Sequence, residues 1–257
     1  MSTVQLPAVA FPDSDGKPMA ENTRQYEAIV TLKGNIEAFA PATAFVAGDH
    51  LIYTDPHDST VCQAPDVYIA FDRPRGHRGS YKVWEEGGVF PQVIFEVLGP
   101  SNTAREMHAK RRFYFGHGSE EYYEFDPEAG TWFGFVVDPD KGLPVEVESM
   151  DDHISPRLGM RFGFRPLELL VYRPDGSVFE SFQEIHDRAA DETERADAER
   201  VRADAERERA DAEQERADAE RERADAERAR ANDASREADR LRTLLKTAGL
   251  DPDAAPS

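Results

Sequence analysis

The sequence predicts an α/β domain followed by one long charged helix. Three observations carry this reading. Helical and strand-like segments alternate through the first 180 residues. One of them, Val93-Ile-Phe-Glu-Val-Leu98, is an apolar run broken by a single acid, the pattern of a central strand covered on both faces. Aromatic residues then end at Phe182, and the chain beyond is mostly Ala, Arg, Glu and Asp, which cannot build a globular core.

Glu21 to Phe39 reads as a helix with Tyr26, Ile29, Val30, Ile36 and Phe39 as its apolar positions, weakened by Gly34. Thr43 to Tyr53 is strand-like with a Gly-Asp turn at Gly48, and Asp66-Val-Tyr-Ile-Ala-Phe71 is a short strand. Arg73 to Gly88 is rich in glycine and charge and reads as a mobile loop. After the strand ending at Leu98, Asn102 or Thr103 can cap a helix that runs to about Phe115. Glu121 to Phe125 and Thr131 to Val137 are strands joined through Asp126-Pro-Glu-Ala-Gly130.

Ser181-Phe-Gln-Glu184 has the pattern of a capping box and starts the long helix, and Gly249 and Pro252 supply its stop signals. The helix repeats every seven residues, Arg195-Ala-Asp-Ala-Glu-Arg-Val and onward to about Arg230. Its alanines recur at spacings of two and five, whereas a coiled-coil seam needs three and four. Pairs such as Asp197/Arg200, Glu199/Arg202 and Arg195/Glu199 suit a solvated single helix. Weak self-association as a coiled coil is the alternative. Leu241, Leu244, Leu245 and Leu250 form an apolar cluster that could dock to a second copy, as a homodimer, or to another protein. The boundaries expected are an N-terminal extension (1–19), a domain (20–180), the helix (181–249) and a disordered tail (250–257).

Composition removes several classes of function. One cysteine, Cys62, excludes an intrachain disulfide framework and a cysteine-rich zinc site. No apolar run approaches the ~20 residues that span a bilayer, and no basic-then-apolar leader opens the chain, so a cytoplasmic protein without a membrane partner is expected. The net charge is −20; 22 acids and 15 bases follow from Asp187 onward, and 29 acids and 16 bases precede it. Such acidity argues against sequence-blind grip on DNA phosphates. His57, His77, His108, His117 and His153 show no ligand spacing.

Two acids lie where acids are costly. Glu96 interrupts the apolar strand, and Asp66 follows Pro65 at the start of another; Lys110 lies one helix further on. Phosphodiester cleavage uses this kit: carboxylates for Mg²⁺, and a lysine for developing negative charge or for orienting water. The plainer reading has Asp66 capping a turn, Glu96 paired internally with a base and Lys110 on a solvated face.

The surrounding residues favour the first reading. Pro65-Asp66-Val, Phe95-Glu-Val-Leu-Gly-Pro-Ser101, Lys110-Arg-Arg-Phe-Tyr114, Gly118-Ser-Glu-Glu-Tyr-Tyr123 and Asp126-Pro127 resemble the Uma-two (Uma2) family of endonucleases over residues 20–180. The resemblance implies a restriction-endonuclease-like fold of the PD-(D/E)XK superfamily, with a mixed sheet flanked by helices. It makes Asp66 and Glu96 the ligands of Mg²⁺ (or Mn²⁺). It moves the usual lysine, absent at Leu98, to Lys110, so that Asp66, Glu96 and Lys110 are the catalytic set. Gly99, Glu106 and the first-helix residues Asn22 and Gln25 depart from the family's common residues. Glu27 or Glu37 could add a site acid.

Arg73, Arg75, His77, Arg78 and Lys82 form the one basic stretch of the acidic domain and are the candidate nucleic-acid contacts, with Tyr81 and Trp84 as base-stacking candidates. Tyr122, Tyr123 and Trp132 read as sheet packing. Two functions follow: a Mg²⁺-dependent endonuclease acting on nucleic acid, with DNA the expected substrate, or a degenerate nuclease fold that binds or assembles without catalysis.

Overall fold

The computed structural model describes residues 9–16 and 18–248. In chain order the elements are α1 (Thr23–Phe39), β1 (Phe45–Ala47), β2 (Ile52–Tyr53), β3 (Cys62–Gln63), β4 (Val67–Ala70), β5 (Tyr81–Lys82) and β6 (Val93–Val97). They continue with α2 (Ala104–His117), β7 (Glu121–Asp126), β8 (Thr131–Asp138), β9 (Leu143–Glu146), β10 (Arg161–Phe162), β11 (Val171–Tyr172) and α3 (Phe182–Thr247). Residues up to His186 and residues from Asp187 onward form two compact units.

The first unit is built on a six-stranded mixed sheet of order β1-β4-β6-β7-β8-β9. β6 and β7 are parallel and connected by α2; the other neighbours are antiparallel. Strand periodicity sends alternate side chains to opposite faces. Val67, Ile69, Val93, Phe95, Val97, Tyr123 and Phe125 face one core together with Ala28, Ile29, Leu32 and Ile36 of α1. Tyr68, Ala70, Ile94 and Tyr122 face a second core, closed by Phe45, Tyr81 and Tyr114 of α2. Glu96 shares the parity of Ile94, so it points to the α2 side, and its residue surface is 1% exposed.

Local chemistry explains the helix limits. α1 begins at Thr23 because the Asn22 carboxamide oxygen accepts the Gln25 N–H at 2.9 Å. α2 begins after Thr103, whose hydroxyl accepts from the Glu106 N–H at 3.2 Å, and ends at Gly118 with φ 114°. At the start of α3 the expected capping box is complete. The Ser181 N–H donates to the Glu184 carboxylate at 2.7 Å, and the Glu184 N–H donates to the Ser181 hydroxyl at 3.2 Å.

Elsewhere the structure adds to or corrects the expectations. The stretch 73–88, expected as a mobile loop, contains β5, which pairs in parallel with β2, and Tyr81 is fully buried there. A two-residue strand has too few positions to show a period, so β3, β10 and β11 escape a pattern reading for the same reason. The segment after β9 is not peripheral: Leu158, Met160, Phe162, Val171 and Phe179 complete the core on the α1 side. In the extension, Phe11 packs on Tyr53 and Trp84 at ring distances of 5.0 and 5.1 Å. Residues 1–8, Gly249, Leu250, Pro252 and the 250–257 tail lie outside the described residues.

No described residue of α3 is buried. Of its expected pairs, Asp197–Arg200 forms at 4.0 Å, and the same three-residue spacing recurs at Asp218–Arg221, Asp225–Arg228 and Asp233–Arg236. Exposed pairs of this kind each contribute about 0–1 kcal/mol. No described helix is long and apolar enough to cross a membrane.

Candidate active site

The register of three strands builds the site. β4 and β6 pair with Val67 opposite Phe95, so one step further along the ladder Asp66 stands across from Glu96 on the same face. Residues in that relation have Cβ atoms ~4.5–5.5 Å apart. On the other side of β6, Glu96 is in register with Glu124 of β7. A row of three acids therefore crosses the sheet under α2.

α2 meets this row with its own polar residues. Lys110 and Tyr114 lie one turn apart on the same helix face. Lys110 Nζ is 2.8 Å from Glu96 Oε2, and the Tyr114 hydroxyl donates to Glu96 Oε1 at 2.7 Å. Asp66 Oδ2 accepts the Val97 N–H at 2.6 Å, while its Oδ1 has no protein partner among the described residues. Glu124 faces Arg111 at 3.7 Å, and that guanidinium stacks over Phe135. Asp66, Glu96 and Lys110 are thus brought together. Tyr114, Glu124 and Arg111 join them although the sequence reading did not single them out for the site. The signal for Tyr114 was its spacing of four from Lys110.

Asp66, Glu96 and Lys110 open into a cleft of about 380 Å³. Its other acids are Asp15, Glu21, Asp49 and Glu106, and Lys110 is the one cation among the described residues that line it. Glu27 and Glu37 do not line it; Glu21 and Gln25, from the start of the first helix, do. Gln25 Nε2 donates to the Val97 carbonyl at 2.8 Å. Gly99 makes room for this, since a Cβ there would lie 2.9 Å from Gln25 Oε1 and 3.0 Å from Glu21 Oε1.

The excess of acid shapes the proton affinities. Burial, and then the neighbouring Glu96, push the Asp66 carboxyl well above its ordinary range. Burial also raises Asp49, helped by Asp15. Burial works against the Lys110 charge, but the charge and hydrogen bond of Glu96, with Asp66 behind it, prevail and hold the lysine above its ordinary value. Lys110 is therefore a firm cation, and Asp66 is a carboxyl that a second positive charge would ionise.

The donor set fits a hard divalent cation. The described residues contain no cluster of three His, Cys, Asp or Glu arranged to hold a metal. Mg²⁺, however, is commonly held by one or two carboxylates while it keeps several waters. Asp66 Oδ1 and the Glu96 carboxylate, in a cleft with five acids more than bases, meet that demand.

The basic stretch is placed differently from the acids. Arg73 Nη1 donates to the Glu86 carbonyl, and Arg78 makes two bonds to the Glu86 carboxylate at 2.6 and 3.1 Å while covering the Phe45 ring. Arg75 Nη2 donates to the carbonyls of Glu37 and Ala40 and closes the C-terminal end of α1. Lys82 pairs with Glu85 at 3.3 Å. None of the four lines the acidic cleft. Tyr81 cannot stack on a base, because its ring is buried and its hydroxyl donates to the Val89 carbonyl. Tyr122, Tyr123 and Trp132 pack in the cores as expected.

No protein of curated function matches the chain. Among solved structures, the chain is similar to one from Anabaena variabilis titled as a "putative nuclease belonging to DUF820". The two are 16% identical with a TM-score of 0.41, over 59% of this chain and 84% of that one. The model of the Uma2 family, described as "Putative restriction endonuclease", matches residues 16–171, more than half of the sequence. With that span enclosing Asp66, Glu96 and Lys110, the chain belongs to the Uma2 family.

Proposed function

We propose that the chain is a metal-dependent endonuclease that hydrolyses phosphodiester bonds in nucleic acid, with DNA as the substrate and Mg²⁺, or Mn²⁺, as the metal. The observation that carries this is the meeting of Asp66, Glu96 and Lys110 in one acidic cleft. Asp66 and Glu96 would hold the metal. Bound there, the metal supplies Lewis-acid polarisation of the phosphate and makes the attacking water more acidic. Asp66 gives up its proton as positive charge enters the cleft. Lys110, held as a cation, acts as a donor and not as a base: it orients the water or stabilises the charge that develops on a phosphate oxygen. Tyr114 is a positioning residue, because its hydroxyl fixes Glu96 from the buried side. We further propose residues 20–180 as the nuclease domain and the helix from residue 181 onward as a spacer or docking arm.

A binding module without catalysis is the second reading. It is favoured by one observation: both oxygens of Glu96 are already engaged, by Lys110 and Tyr114. Cleavage of supercoiled, linear and branched DNA with Mg²⁺ or Mn²⁺ separates the two. The nuclease reading expects metal-dependent products that Glu96→Gln abolishes and Lys110→Ala lowers mainly through turnover. Equal cleavage by wild type and both variants removes the site assignment, and no cleavage on any substrate leaves the binding module.

A further inference from the structure

A second pocket, of about 250 Å³, has the opposite chemistry to the cleft. Lys33 of α1, His50 of the turn after β1, and Arg75, His77 and Arg78 of the loop after β4 line it, with Glu37 as the one carboxylate among the described residues there. Glu86 neutralises Arg78, and Lys33 leans on Glu37. Arg75 spends Nη2 on the end of α1 and His50 spends Nδ1 on the Tyr68 hydroxyl. That leaves Arg75 Nη1, His50 Nε2 and the His77 ring without an acceptor among the described residues. Charge converges on this point. After burial, Arg78 and His77 lower the proton affinity of His50 most, with Lys33 adding to them and Asp13 acting the other way. A bound anion would relieve that field.

The place of the pocket matters as much as its charge. Asp49 lines the acidic cleft, while its chain neighbours Gly48 and His50 line the basic pocket. Adjacent Cα atoms are ~3.8 Å apart, so the two sites share one turn. A polyanion cannot be held by a cleft with six acids and one lysine unless a cationic surface beside it offsets the repulsion.

We propose that Lys33, His50, Arg75 and His77 form a subsite for a backbone phosphodiester, next along the strand from the phosphate at Asp66, Glu96 and Lys110. This rests on the nuclease reading for the second phosphate. The subsite itself is tested by binding alone.

The experiment measures anisotropy of labelled single-stranded DNA, duplex DNA and RNA with the full chain carrying Glu96→Gln, in Mg²⁺, across a salt series. Adding Lys33→Gln and His77→Gln should weaken binding roughly tenfold, the scale of a lost charge-assisted contact. The slope of log affinity against log salt should become shallower by about one. The arm in which this occurs identifies DNA or RNA as the source of the phosphodiester. The cation-bearing pair Lys33→Arg/His77→Lys should bind at least as tightly as the parent. Unchanged affinity and slope for the Gln pair in all three arms overturn the subsite, as does an equal loss in the cation-bearing pair, which would point to disturbed packing. Loss of binding in a chain whose wild type cleaves nothing keeps the subsite and removes the nuclease reading. Cleavage with no effect of the double variant does the reverse.

Discussion

Among the described residues, replacing Lys110 by Met removes the only positive charge in contact with Glu96 and leaves that carboxylate 1% exposed. At the observed 2.8 Å and an effective dielectric constant near 20, the lost attraction is ~6 kcal/mol. Met gains back part of this by packing its stem. Breaking one half of a buried ion pair therefore costs about 3–5 kcal/mol. In a domain of this size, 1 kcal/mol shifts Tm by ~2–4 °C, so the expected loss at neutral pH is roughly 6–20 °C. The assay is thermal unfolding followed by tryptophan fluorescence. Trp84 and Trp132 both lie in the first unit, so α3 does not contribute to the signal. One control sharpens it. Adding Glu96→Gln to Lys110→Met should recover most of it, since the stranded charge is then gone. A Lys110→Met protein with a wild-type Tm at neutral pH would refute the reasoning, because Glu96 would then have no need of a cation.

Three further outcomes follow from the same geometry. Asp66 holds its proton more tightly folded than unfolded, so the folded state binds more protons between the ordinary aspartate range and the raised value, and stability falls as pH rises through that window. Asp66→Asn should be more stable than wild type at neutral pH, with the gap closing towards pH ~4, and only wild type should gain Tm on adding Mg²⁺; unfolding scans over pH, with and without the metal, check both. Tyr114→Phe deletes a 2.7 Å bond to a buried carboxylate and should cost about 1.5–3 kcal/mol in denaturant unfolding. A 185–240 peptide should be helical by circular dichroism and monomeric by sedimentation, since α3 has no buried residue and its pairs are exposed; a tight dimer would show a coiled coil instead.

Residue type alone singled out the acid at the centre of this site, and the family resemblance joined Asp66 and Lys110 to it. An acid inside Val93–Leu98 has to be paired or ligated, whatever the fold, because burying a bare carboxylate is costly. That argument reached Glu96 without coordinates, and the Ser181–Glu184 pattern likewise located the start of α3. It could not reach Glu124. Glu124 is next to Glu96 only because β6 and β7 run parallel in that register, and register is a property of the pair of strands. The basic stretch likewise has partners that residue type does not show. Four cations, Arg73, Arg75, Arg78 and Lys82, look like a phosphate-binding loop by residue type, yet each donates to Glu86, Glu85 or the end of α1.

By itself the sequence determined what was local or compositional: the alternation of helix and strand, the charged helix from residue 181, the caps, and which acids needed partners. These follow from periodicity and from the cost of burying charge, which each segment carries with it. The tertiary structure alone decided which groups share a space. It set Asp66 across from Glu96, hung Lys110 and Tyr114 over them, and separated an acidic cleft from a basic pocket by the width of one turn. Those neighbours come from strand register and from the placing of α2 across the sheet, and such long-range pairings leave no period in the chain for a reader to find.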